Sequence, residues 1–537
     1  MQRDGPEFDV PRLTPIITCS LMQRLVTGRQ MKDIDRRAEQ EWQIPGMTLM
    51  EHAGRAVVEA ISVELGRLDQ KRFLVVCGKG NNGGDGFVAV RYLKERGAAV
   101  TCLLAAAPAE LKGDALANYE SLRTAGVPVL EADGKGTLDA ALRDHPVVVD
   151  ALLGTGLTSA PRGLVARVIE AVNRSGCFVV SIDVPSGVDA DTGQAFQPSI
   201  RADLTVTMAL AKLGLWLYPG RALAGKVVPA DIGIPAQLLD TAGDTFLLDD
   251  VGIRAAIPRR PPDGHKGTFG TALVIAGSRG YSGAACLTGA AAARSGCGMV
   301  RMAVPAGIAG IVESNVLEPV KFPLAQTEAE SISPAALDMV LELAETADAI
   351  AVGPGIGTHP ETRRFLLDLL PRLHRPVVID ADGINNLAGK LDLLHEMAAP
   401  VILTPHPGEL GRLVQLDPAR VNADRVELSR RLAREHNIVL VLKGASTVIA
   451  VPDGRVLVNP TGNSGLGSGG TGDVLTGLLA GLVAQGAKPM DAACAAVFLH
   501  GRAADLAAAR LTEYCLVAHD LLDYLPDAFH SVLSPHD

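Results

Sequence analysis

The chain has 537 residues, which is more than one ordinary hydrophobic core holds, so roughly two to four domains are expected. Its net charge is −10 and it carries no long basic cluster, which argues against nucleic acid as the main partner. Eight cysteines occur singly, without CxxC pairs or paired histidines, so neither a zinc site nor a disulfide framework is predicted. No uninterrupted apolar run of membrane-spanning length is recognised, and a cytoplasmic protein is predicted.

The first predicted elements precede a glycine-rich loop. Residues 1–24 are charged and proline-containing, and they are predicted to be a loose extension because they lack the apolar core of a signal peptide. Residues 29–66 carry helical periodicity, which predicts two helices joined near Pro45 and Gly46. Residues 73–77 form a short apolar run that is typical of a strand buried in a parallel sheet.

The loop at residues 78–86 fits the dinucleotide-binding pattern G-x-G-x-x-G between a predicted strand and a predicted helix. The next predicted strand ends in alanines at 105–107, with no acidic residue to hold a ribose, which weakens assignment as an ordinary nicotinamide-dependent oxidoreductase. Asn81, Asn82 and Asp85 make the loop more polar than a pyrophosphate turn requires. They indicate hydrogen bonds to a ligand or a cation.

Two further predicted strands, 146–150 and 177–183, end in aspartates. Because the carboxyl ends of parallel strands meet at one edge of a sheet, Asn82, Asp150 and Asp183 are expected to converge there. A lone aspartate after a strand is usually a turn residue. Three polar strand ends that lead into glycine loops favour a ligand site instead.

This half resembles the N-terminal YjeF family, whose members epimerise hydrated reduced nicotinamide dinucleotides. The resemblance rests on NNGGDG (81–86), VDALLGTGL (149–157), IDVPSG (182–187) and the segment 212–235. It implies a Rossmann-like three-layer αβα domain over residues 25–240 with the hydrates NADHX and NADPHX as substrates. The implied substrate site comprises Asn81, Asn82, Gly83, Gly84, Asp85, Gly154, Thr155, Gly156, Leu157, Thr158, Ser159, Ala160 and Asp183. Potassium is expected at Asn82, Asp150 and Ser186. Asp183 is the predicted acid–base group, and Asp85 is the alternative.

The most distinctive stretch, residues 459–481, is glycine-rich in its first half and helical in its second half, from Asp473 onward. Backbone amides of a glycine loop and of a helix N-terminus both favour a polyphosphate. Asp473 can be interpreted as the N-cap of the helix or as a general base beside the bound phosphate. Six glycines in the preceding eleven residues favour the base.

Around this stretch the second half predicts another alternating α/β domain, of a different kind from the first, because no fixed period relates the two halves. Its strand-like runs lie at 271–277, 298–305, 349–357, 376–383, 400–409 and 438–444. Polar residues again cluster at the predicted strand ends, at Gly353, Gly355, Asp380, Asp382, 406–409 and 443–447. A lone histidine is more often structural than catalytic, but the Pro and Gly neighbours of His406 favour ligand contact.

This half resembles the C-terminal YjeF family of the ribokinase-like superfamily, which dehydrates the hydrated coenzyme with consumption of a nucleotide. The motifs are GHKGTFG (264–270), LTPHPGE (403–409), KGAST (443–447), NPTGN (459–463) and GGTGDVLTG (469–477). A ribokinase-like α/β domain over residues 241–537 is implied. The implied nucleotide site comprises Lys443, Gly444, Ala445, Ser446, Thr447, Asn463, Ser464, Gly465, Leu466, Gly467, Ser468, Gly469, Gly470, Thr471 and Gly472. The implied substrate site comprises Gly355, His406, Pro407, Gly408, Glu409, Leu410, Gly411, Arg412 and Asp473.

The predicted function is repair of hydrated nicotinamide dinucleotides. One domain epimerises (R)- and (S)-NAD(P)HX, and the other dehydrates the (S) form to NAD(P)H while ADP is converted to AMP and phosphate, with Mg²⁺ neutralising the phosphates. The sequence leaves ADP and ATP open. A homo-oligomer with small-molecule substrates, and no membrane partner, is implied.

Two alternatives are considered. One is a ribokinase-type kinase of a vitamin precursor with a non-catalytic nucleotide-binding N-terminal domain. The other is an N-terminal nucleotide-sensing or RNA-scaffold module without turnover. Retention of Asn82, Asp150 and Asp183 counts against the second alternative.

Overall fold

The computed structural model describes residues 22–132 and 135–534. Most of the predicted extension, residues 1–21, therefore lies outside the described residues. The chain divides into two compact units, with the division between Leu247 and Leu248. We call Gln23–Leu247 the N-terminal unit and residues 248–534 the C-terminal unit.

The described part of the N-terminal unit alternates strands and helices. Its strands are β1 (Gln23–Val26), β2 (Arg72–Cys77), β3 (Ala99–Leu104), β4 (Val129–Glu131), β5 (Val147–Ala151), β6 (Phe178–Ile182), β7 (Leu204–Met208), β8 (Ala211–Lys212), β9 (Lys226–Ala230) and β10 (Thr245–Leu247). Its helices are α1 (Gly28–Trp42), α2 (Gly46–Leu65), α3 (Asn81–Glu95), α4 (Gly113–Thr124), α5 (Lys135–Asp144), α6 (Gly163–Ser175) and α7 (Ala236–Leu239). The two helices expected on either side of Pro45 are confirmed as α1 and α2.

The main sheet of this unit is parallel, in the order β4-β3-β2-β5-β6-β7-β9. Alternate residues of β2 pack into different apolar clusters: Phe73 and Val75 belong to one, Leu74 and Val76 to the other. Because successive strand residues point to opposite faces, the sheet is covered on both sides. This arrangement confirms the predicted three-layer α/β fold.

Strand order reverses between β2 and β5, since the chain passes from β2 to β3 and β4 on one side and then returns to β5 on the other. The loops that follow β2 and β5 therefore leave the sheet in opposite directions and open a crevice at its carboxyl edge.

The glycines of the loop at residues 78–86 have a steric role. A Cβ on Gly83 would overlap the carbonyl oxygen of Gly78, and one on Gly78 would overlap that of Leu152.

The described C-terminal unit contains a longer series of elements. Its strands are β11 (Thr271–Ile275), β12 (Met299–Pro305), β13 (Val320–Leu324), β14 (Ala349–Val352), β15 (Val377–Ile379), β16 (Val401–Leu403), β17 (Val439–Leu442), β18 (Val448–Ala450) and β19 (Val456–Val458). Its helices are α8 (Asp250–Ala256), α9 (Ser282–Arg294), α10 (Ala306–Asn315), α11 (Leu337–Glu345), α12 (Pro360–Leu369), α13 (Asp382–Asn386), α14 (Pro407–Val414), α15 (Pro418–Ala423), α16 (Arg425–Glu435), α17 (Thr471–Ala484), α18 (Pro489–Leu511) and α19 (Ala518–Leu533).

Within this unit the strands pair in the order β13-β12-β11-β14-β15-β16-β17-β18-β19. The first seven are parallel, and β17, β18 and β19 are antiparallel neighbours. Each of the six predicted strands is present. Strand order reverses between β11 and β14, so a second crevice opens at the carboxyl ends of these two strands.

Helix α18 is long and apolar enough, by length and composition, to cross a membrane, whereas the sequence predicted no such segment. However, 72% of the apolar 18-residue stretch of this helix is buried inside the protein. This degree of burial is characteristic of a core helix.

Helix α17 packs closely on α9 because Gly477 and Gly481 leave no side chain between the two helices. A Cβ on Gly477 would overlap the carbonyl oxygen of Thr288, and one on Gly481 would overlap the Ser295 hydroxyl. Nearly every residue of α17 after its first turn is buried. The position of its N-terminus is therefore fixed by tight contacts along its length.

We expect Gly477→Ala to reduce the free energy of unfolding of the C-terminal unit by about 1–3 kcal/mol, because overpacking must push the helices apart. Chemical denaturation monitored by circular dichroism measures this loss. The matched control is Gly310→Ala in α10, where an added Cβ has open space. Helix propensity should make the control neutral or more stable by up to about 1 kcal/mol. Equal stabilities for the two variants would contradict the assigned helix contact.

Two candidate active sites

A cavity of about 830 Å³ lies at the crevice of the N-terminal unit. Among the predicted substrate residues, those that line it are Asn81, Asn82, Asp85, Gly154, Thr155, Gly156, Leu157, Thr158, Ser159 and Asp183. Gly83 and Gly84 lie in the first turn of α3 and are buried against the Gly78 carbonyl and the Met50 side chain, respectively. Ala160 and the potassium candidates Asp150 and Ser186 do not line the cavity in the described structure.

Asp183 follows β6 in a left-handed backbone conformation, with φ of 68°. Its Oδ1 accepts hydrogen bonds from the Met208 amide at 3.1 Å and the Thr207 hydroxyl at 3.3 Å. The ammonium of Lys212 lies 2.5 Å from the same oxygen and is fully buried. Lys212 also donates to the Met208 carbonyl at 2.8 Å. These contacts fix both the position and the charge environment of the Asp183 carboxylate.

Asp35 and Asp85 also line this cavity, and within the described residues neither carboxyl group forms an ion pair. Burial raises the pKa of Asp35, on α1, to about 6, an effect that Lys212 opposes and Asp183 reinforces. Burial, reinforced by Asp183 and Asp35, raises the pKa of Asp85 well above its ordinary value. The cavity therefore combines an ion-paired carboxylate with two carboxyl groups that hold protons more tightly than usual.

The three potassium candidates, Asn82, Asp150 and Ser186, are buried polar residues. Asp150 is fully buried and accepts hydrogen bonds from the Ser186 hydroxyl at 2.6 Å and from the Ser181 hydroxyl at 2.9 Å. Asn82 donates from Nδ2 to the Ile182 carbonyl at 2.8 Å. Among the described residues, Asn82 Oδ1 is buried without a hydrogen-bond donor. A buried oxygen without a donor fits a hard cation as its partner.

The second crevice holds Gly355 and the glycine loop that precedes α17. Gly355 has a positive φ of 62°, and a Cβ there would lie 2.8 Å from the Cβ of Tyr281. Its carbonyl accepts a hydrogen bond from the Ser278 hydroxyl at 2.7 Å. These contacts bring the loops after β11 and β14 together where the strand order reverses.

Helix α17 begins at Thr471, with Gly470 as its N-cap at φ of 92°. The N-cap interpretation of Asp473 is therefore wrong, because the helix starts two residues earlier than the pattern indicated and Asp473 lies in its first turn. The amides of Thr471 and Gly472 have no intrahelical acceptor, as in any first turn. A Cβ on Gly467 or Gly469 would meet no described atom within 4 Å. The absence of side chains at these two positions leaves the backbone open to a ligand.

Asp473 is partly exposed and lies in a strongly acidic environment. Burial raises its pKa to about 7, and the nearby carboxylates of Asp380, Asp382 and Glu409 add to the effect, whereas Lys443 opposes it. A carboxyl group with a pKa near neutrality can take and release a proton under working conditions. This property suits the proposed base and would not be needed for a helix cap.

The KGAST segment, residues 443–447, is the loop between β17 and β18. Arg425 on α16 is buried and donates to the carbonyl oxygens of Ala445 at 2.8 Å and of Leu442 and Lys443 at 3.2 Å. Burial lowers the pKa of Arg425 to about 10. The loop is therefore held in place by a cation that the sequence analysis did not identify.

His406 is the N-cap of α14, whose first turns contain the other predicted residues up to Arg412. Its Nδ1 accepts from the amides of Gly408 at 3.0 Å and Glu409 at 3.2 Å, and its own amide donates to Glu409 Oε2 at 2.8 Å. Nδ1 thus has a structural role. The side chain is 53% exposed, and its Nε2 lies 3.4 Å from Glu409 Oε1.

Two carboxylates accept hydrogen bonds from the start of the glycine loop. Asp505 accepts from the amide of Gly462 at 2.9 Å and from Asn463 Nδ2 at 3.0 Å. Glu513 accepts from the amide of Ser464 at 3.1 Å. Ser468 donates to the carbonyl oxygens of Gly465 and Leu516, both at 2.9 Å. The loop is therefore ordered by the protein itself.

Three residues at the two sites were missed from the sequence: Asp35, Lys212 and Arg425. Asp35 and Arg425 are single polar residues in helices, and Lys212 lies in β8. The polar strand ends indicated Asp183 and the segment 443–447, but not Lys212 and Arg425, which contact them.

Comparison with known proteins assigns both units. Residues 46–214 match the family model of the YjeF-related protein N-terminus, and residues 272–527 match that of NAD(P)H-hydrate dehydratase. A bifunctional NAD(P)H-hydrate repair enzyme of Moorella thermoacetica is 45% identical over 507 residues, which cover 94% of this chain and 96% of that protein. The corresponding Escherichia coli enzyme is 34% identical over 500 residues, with 92% of each chain covered.

Among solved structures, the ADP/ATP-dependent NAD(P)H-hydrate dehydratase of Bacillus subtilis, co-crystallised with ATP and Mg²⁺, is 34% identical. The match covers 53% of this chain and 98% of that chain, with a TM-score of 0.47. The relatives of nearly full length confirm the family predicted from the motifs. The chain therefore belongs to the family of bifunctional NAD(P)H-hydrate repair enzymes.

Proposed function

We propose that the C-terminal unit dehydrates (S)-NAD(P)HX to NAD(P)H with ADP as the phosphoryl donor, and that the N-terminal unit interconverts the (R) and (S) hydrates. The observation that carries this proposal is the position of Asp473, a carboxyl group of raised pKa in the first turn of a helix that follows an open glycine loop. The alternative function, a vitamin-precursor kinase with a non-catalytic N-terminal domain, is dropped because the repair enzymes that resemble this chain match both of its halves.

The proposed dehydration begins when Asp473 removes the proton of the substrate hydroxyl. The hydroxyl oxygen attacks the terminal phosphorus of ADP, the bond to the bridging oxygen breaks, and AMP leaves. The carbon–oxygen bond of the phosphate ester then breaks with the push of the ring nitrogen lone pair. Phosphate leaves with the bonding electrons, and a proton is lost from the neighbouring ring carbon to restore the reduced ring. Phosphate is a far better leaving group than hydroxide, which is the reason to consume a nucleotide.

The amides of Thr471 and Gly472, in the first turn of α17, are proposed to bind the phosphate oxygens together with the positive end of the helix dipole. The carboxylates of Asp380, Asp382 and Glu409 surround the position of the base and repel a polyphosphate. A divalent cation on the phosphates would offset this repulsion. Among the described residues no group of three His, Cys, Asp or Glu side chains is arranged as a metal site. Mg²⁺ is accordingly expected to bind mainly through phosphate oxygens.

For epimerisation, Asp183 is proposed as the acid–base group, because its carboxylate is held by Lys212 at 2.5 Å at the wall of the cavity. Asp85, whose pKa is raised, remains the alternative. Potassium is proposed at Asn82, Asp150 and Ser186, supported by the buried Asn82 Oδ1 that lacks a donor within the described structure. The cytoplasmic location and the homo-oligomeric state stay predictions.

We expect Asp473→Asn to reduce dehydration of (S)-NADHX about 10²–10⁴-fold, the range of general-base contributions. The measurement is recovery of reduced-nicotinamide absorbance with ADP or ATP supplied separately. Epimerisation in the other unit is an internal control for folding and should stay at the wild-type rate. Undiminished recovery in this variant would exclude Asp473 as the base.

The dehydration rate should also depend on pH. Because the pKa of Asp473 is raised to about 7, the base is protonated at lower pH and ionised at higher pH. The rate at saturating substrate and nucleotide should therefore fall about tenfold per unit as the pH drops below this value. A rate that stays constant down to pH 5 would contradict the assigned environment of the base.

Asp183→Asn should abolish interconversion of the two hydrates while leaving dehydration of the (S) form intact. Chromatographic separation of the hydrates, started from pure (R)-NADHX, gives the epimerisation rate. Asp85→Asn is the matched comparison at the same cavity. Loss of epimerisation in the Asp85 variant with an unchanged rate in the Asp183 variant would transfer the role to Asp85.

A further inference from the structure

Beneath Asp473 lies a buried charged group that we call the carboxylate–lysine cluster, formed by Asp380, Glu409 and Lys443. Its members follow three adjacent strands: Asp380 comes after β15, Glu409 lies on α14 after β16, and Lys443 comes after β17. The ammonium of Lys443 is 2.5 Å from Asp380 Oδ1 and 3.9 Å from Glu409 Oε2. Asp380 is 1% exposed. The Lys443 ammonium thus forms its close ion pair with Asp380.

The cluster is connected to the first turn of α17. Thr476, one turn after Asp473, donates a hydrogen bond to Asp380 Oδ2 at 2.6 Å. A Cβ on Gly472 would lie 3.4 Å from the Lys443 ammonium and 3.9 Å from Asp380 Oδ2. Gly472 therefore allows the ion pair to lie directly against the helix N-terminus. Both carboxylate oxygens of Asp380 are used, one for Lys443 and one for Thr476.

We propose that Asp380 and Lys443 are positioning residues of the dehydratase site, which hold the first turn of α17 in place and set the protonation of Asp473. This inference rests on the proposed function, in which Asp473 is the base. It assigns Lys443 a role in the acid–base chemistry in addition to the nucleotide contact expected from its motif. A buried ion pair is well suited to this task, because it fixes a charge at a defined distance from the reacting group.

The charges around Asp473 have opposing effects on its pKa. The carboxylates of Asp380, Asp382 and Glu409 raise it in addition to burial, and Lys443 lowers it. His500 on α18 donates from Nε2 to the Thr471 carbonyl at 2.9 Å. Burial lowers the pKa of His500 to about 4, so this side chain is neutral in the working range. Burial has the largest effect on the pKa of Asp473, and the balance between Lys443 and the carboxylates shifts it further.

The test compares the acidic limb of the pH–rate profile of dehydration in three full-length variants at saturating nucleotide. Asp380→Asn removes a negative charge near Asp473 and leaves the positive charge of Lys443. The pKa of Asp473 should therefore fall, and the acidic limb should move to lower pH by roughly one unit. Lys443→Met removes the positive charge and should move it to higher pH by a similar amount. Thr476→Val removes a hydrogen bond of the same cluster without changing its charge. It should leave the limb in place even if the rate falls. The double variant Asp380→Asn/Lys443→Met should return the limb close to its wild-type position.

A second readout does not require turnover. Infrared titration of the protonated-carboxyl band, taken as the difference between each variant and the same variant carrying Asp473→Asn, isolates the ionisation of Asp473. Opposite displacements for the Asp380 and Lys443 variants support the proposal in either readout. The proposal is overturned if both variants shift the ionisation pH of Asp473 in the same direction, or if neither shifts it further than Thr476→Val does. The role of Asp473 as the base would then still stand. Absence of dehydration in the wild-type protein would instead refute the proposed function.

Discussion

A carboxyl group can be kept out of water only if a cation or several hydrogen-bond donors offset the loss of hydration, or if it holds a proton. Both units are organised around this constraint at the carboxyl edge of a parallel sheet. In each, one aspartate has a lysine at 2.5 Å, Asp183 with Lys212 and Asp380 with Lys443. In each, a second carboxyl group nearby has no such lysine among the residues that the structure describes, and burial raises its pKa, to about 6 at Asp35 and about 7 at Asp473. Two different α/β domains thus both have an ion-paired aspartate and, close by, a carboxyl group whose pKa is raised towards neutral pH.

The glycines of the two sites are present for different reasons. Gly78 and Gly83 allow neighbouring backbones to touch, because a Cβ at either position would overlap a carbonyl oxygen. Gly477 plays the same part between two helices. Gly467 and Gly469, by contrast, face open space and gain nothing from the described protein by lacking a side chain. In the loop before α17, the missing side chains at these two positions fit the proposed close approach of a polyphosphate.

Much of the fold could be predicted from the sequence, because apolar runs that end in glycine or aspartate are characteristic of parallel strands. The residues at those strand ends, such as Asp183 and Asp380, were identified for the same reason. The contacts of Asp380 were not predicted, although Lys443 was named for a nucleotide contact, because Lys443 is 63 residues from Asp380 and Thr476 is 96 residues from it. The start of α17 was misplaced by two residues, since Gly470 takes a left-handed conformation that hydrophobic periodicity does not encode. Three strands of the C-terminal unit were missed. In β13, Lys321 and Pro323 interrupt the apolar run, and β18 and β19 form an antiparallel pair outside the alternating strand–helix pattern on which the prediction rested.

The hydrogen bonds from Arg425, Asp505 and Glu513 have a consequence for affinity. They fix the KGAST loop and the start of the glycine loop before any nucleotide arrives. The loss of conformational entropy that accompanies loop ordering therefore occurs during folding, and the incoming nucleotide does not have to induce it. Discrimination between nucleotides at this site should accordingly come from the contacts they make with a rigid surface. This discrimination does not require the loops to close selectively around the correct nucleotide.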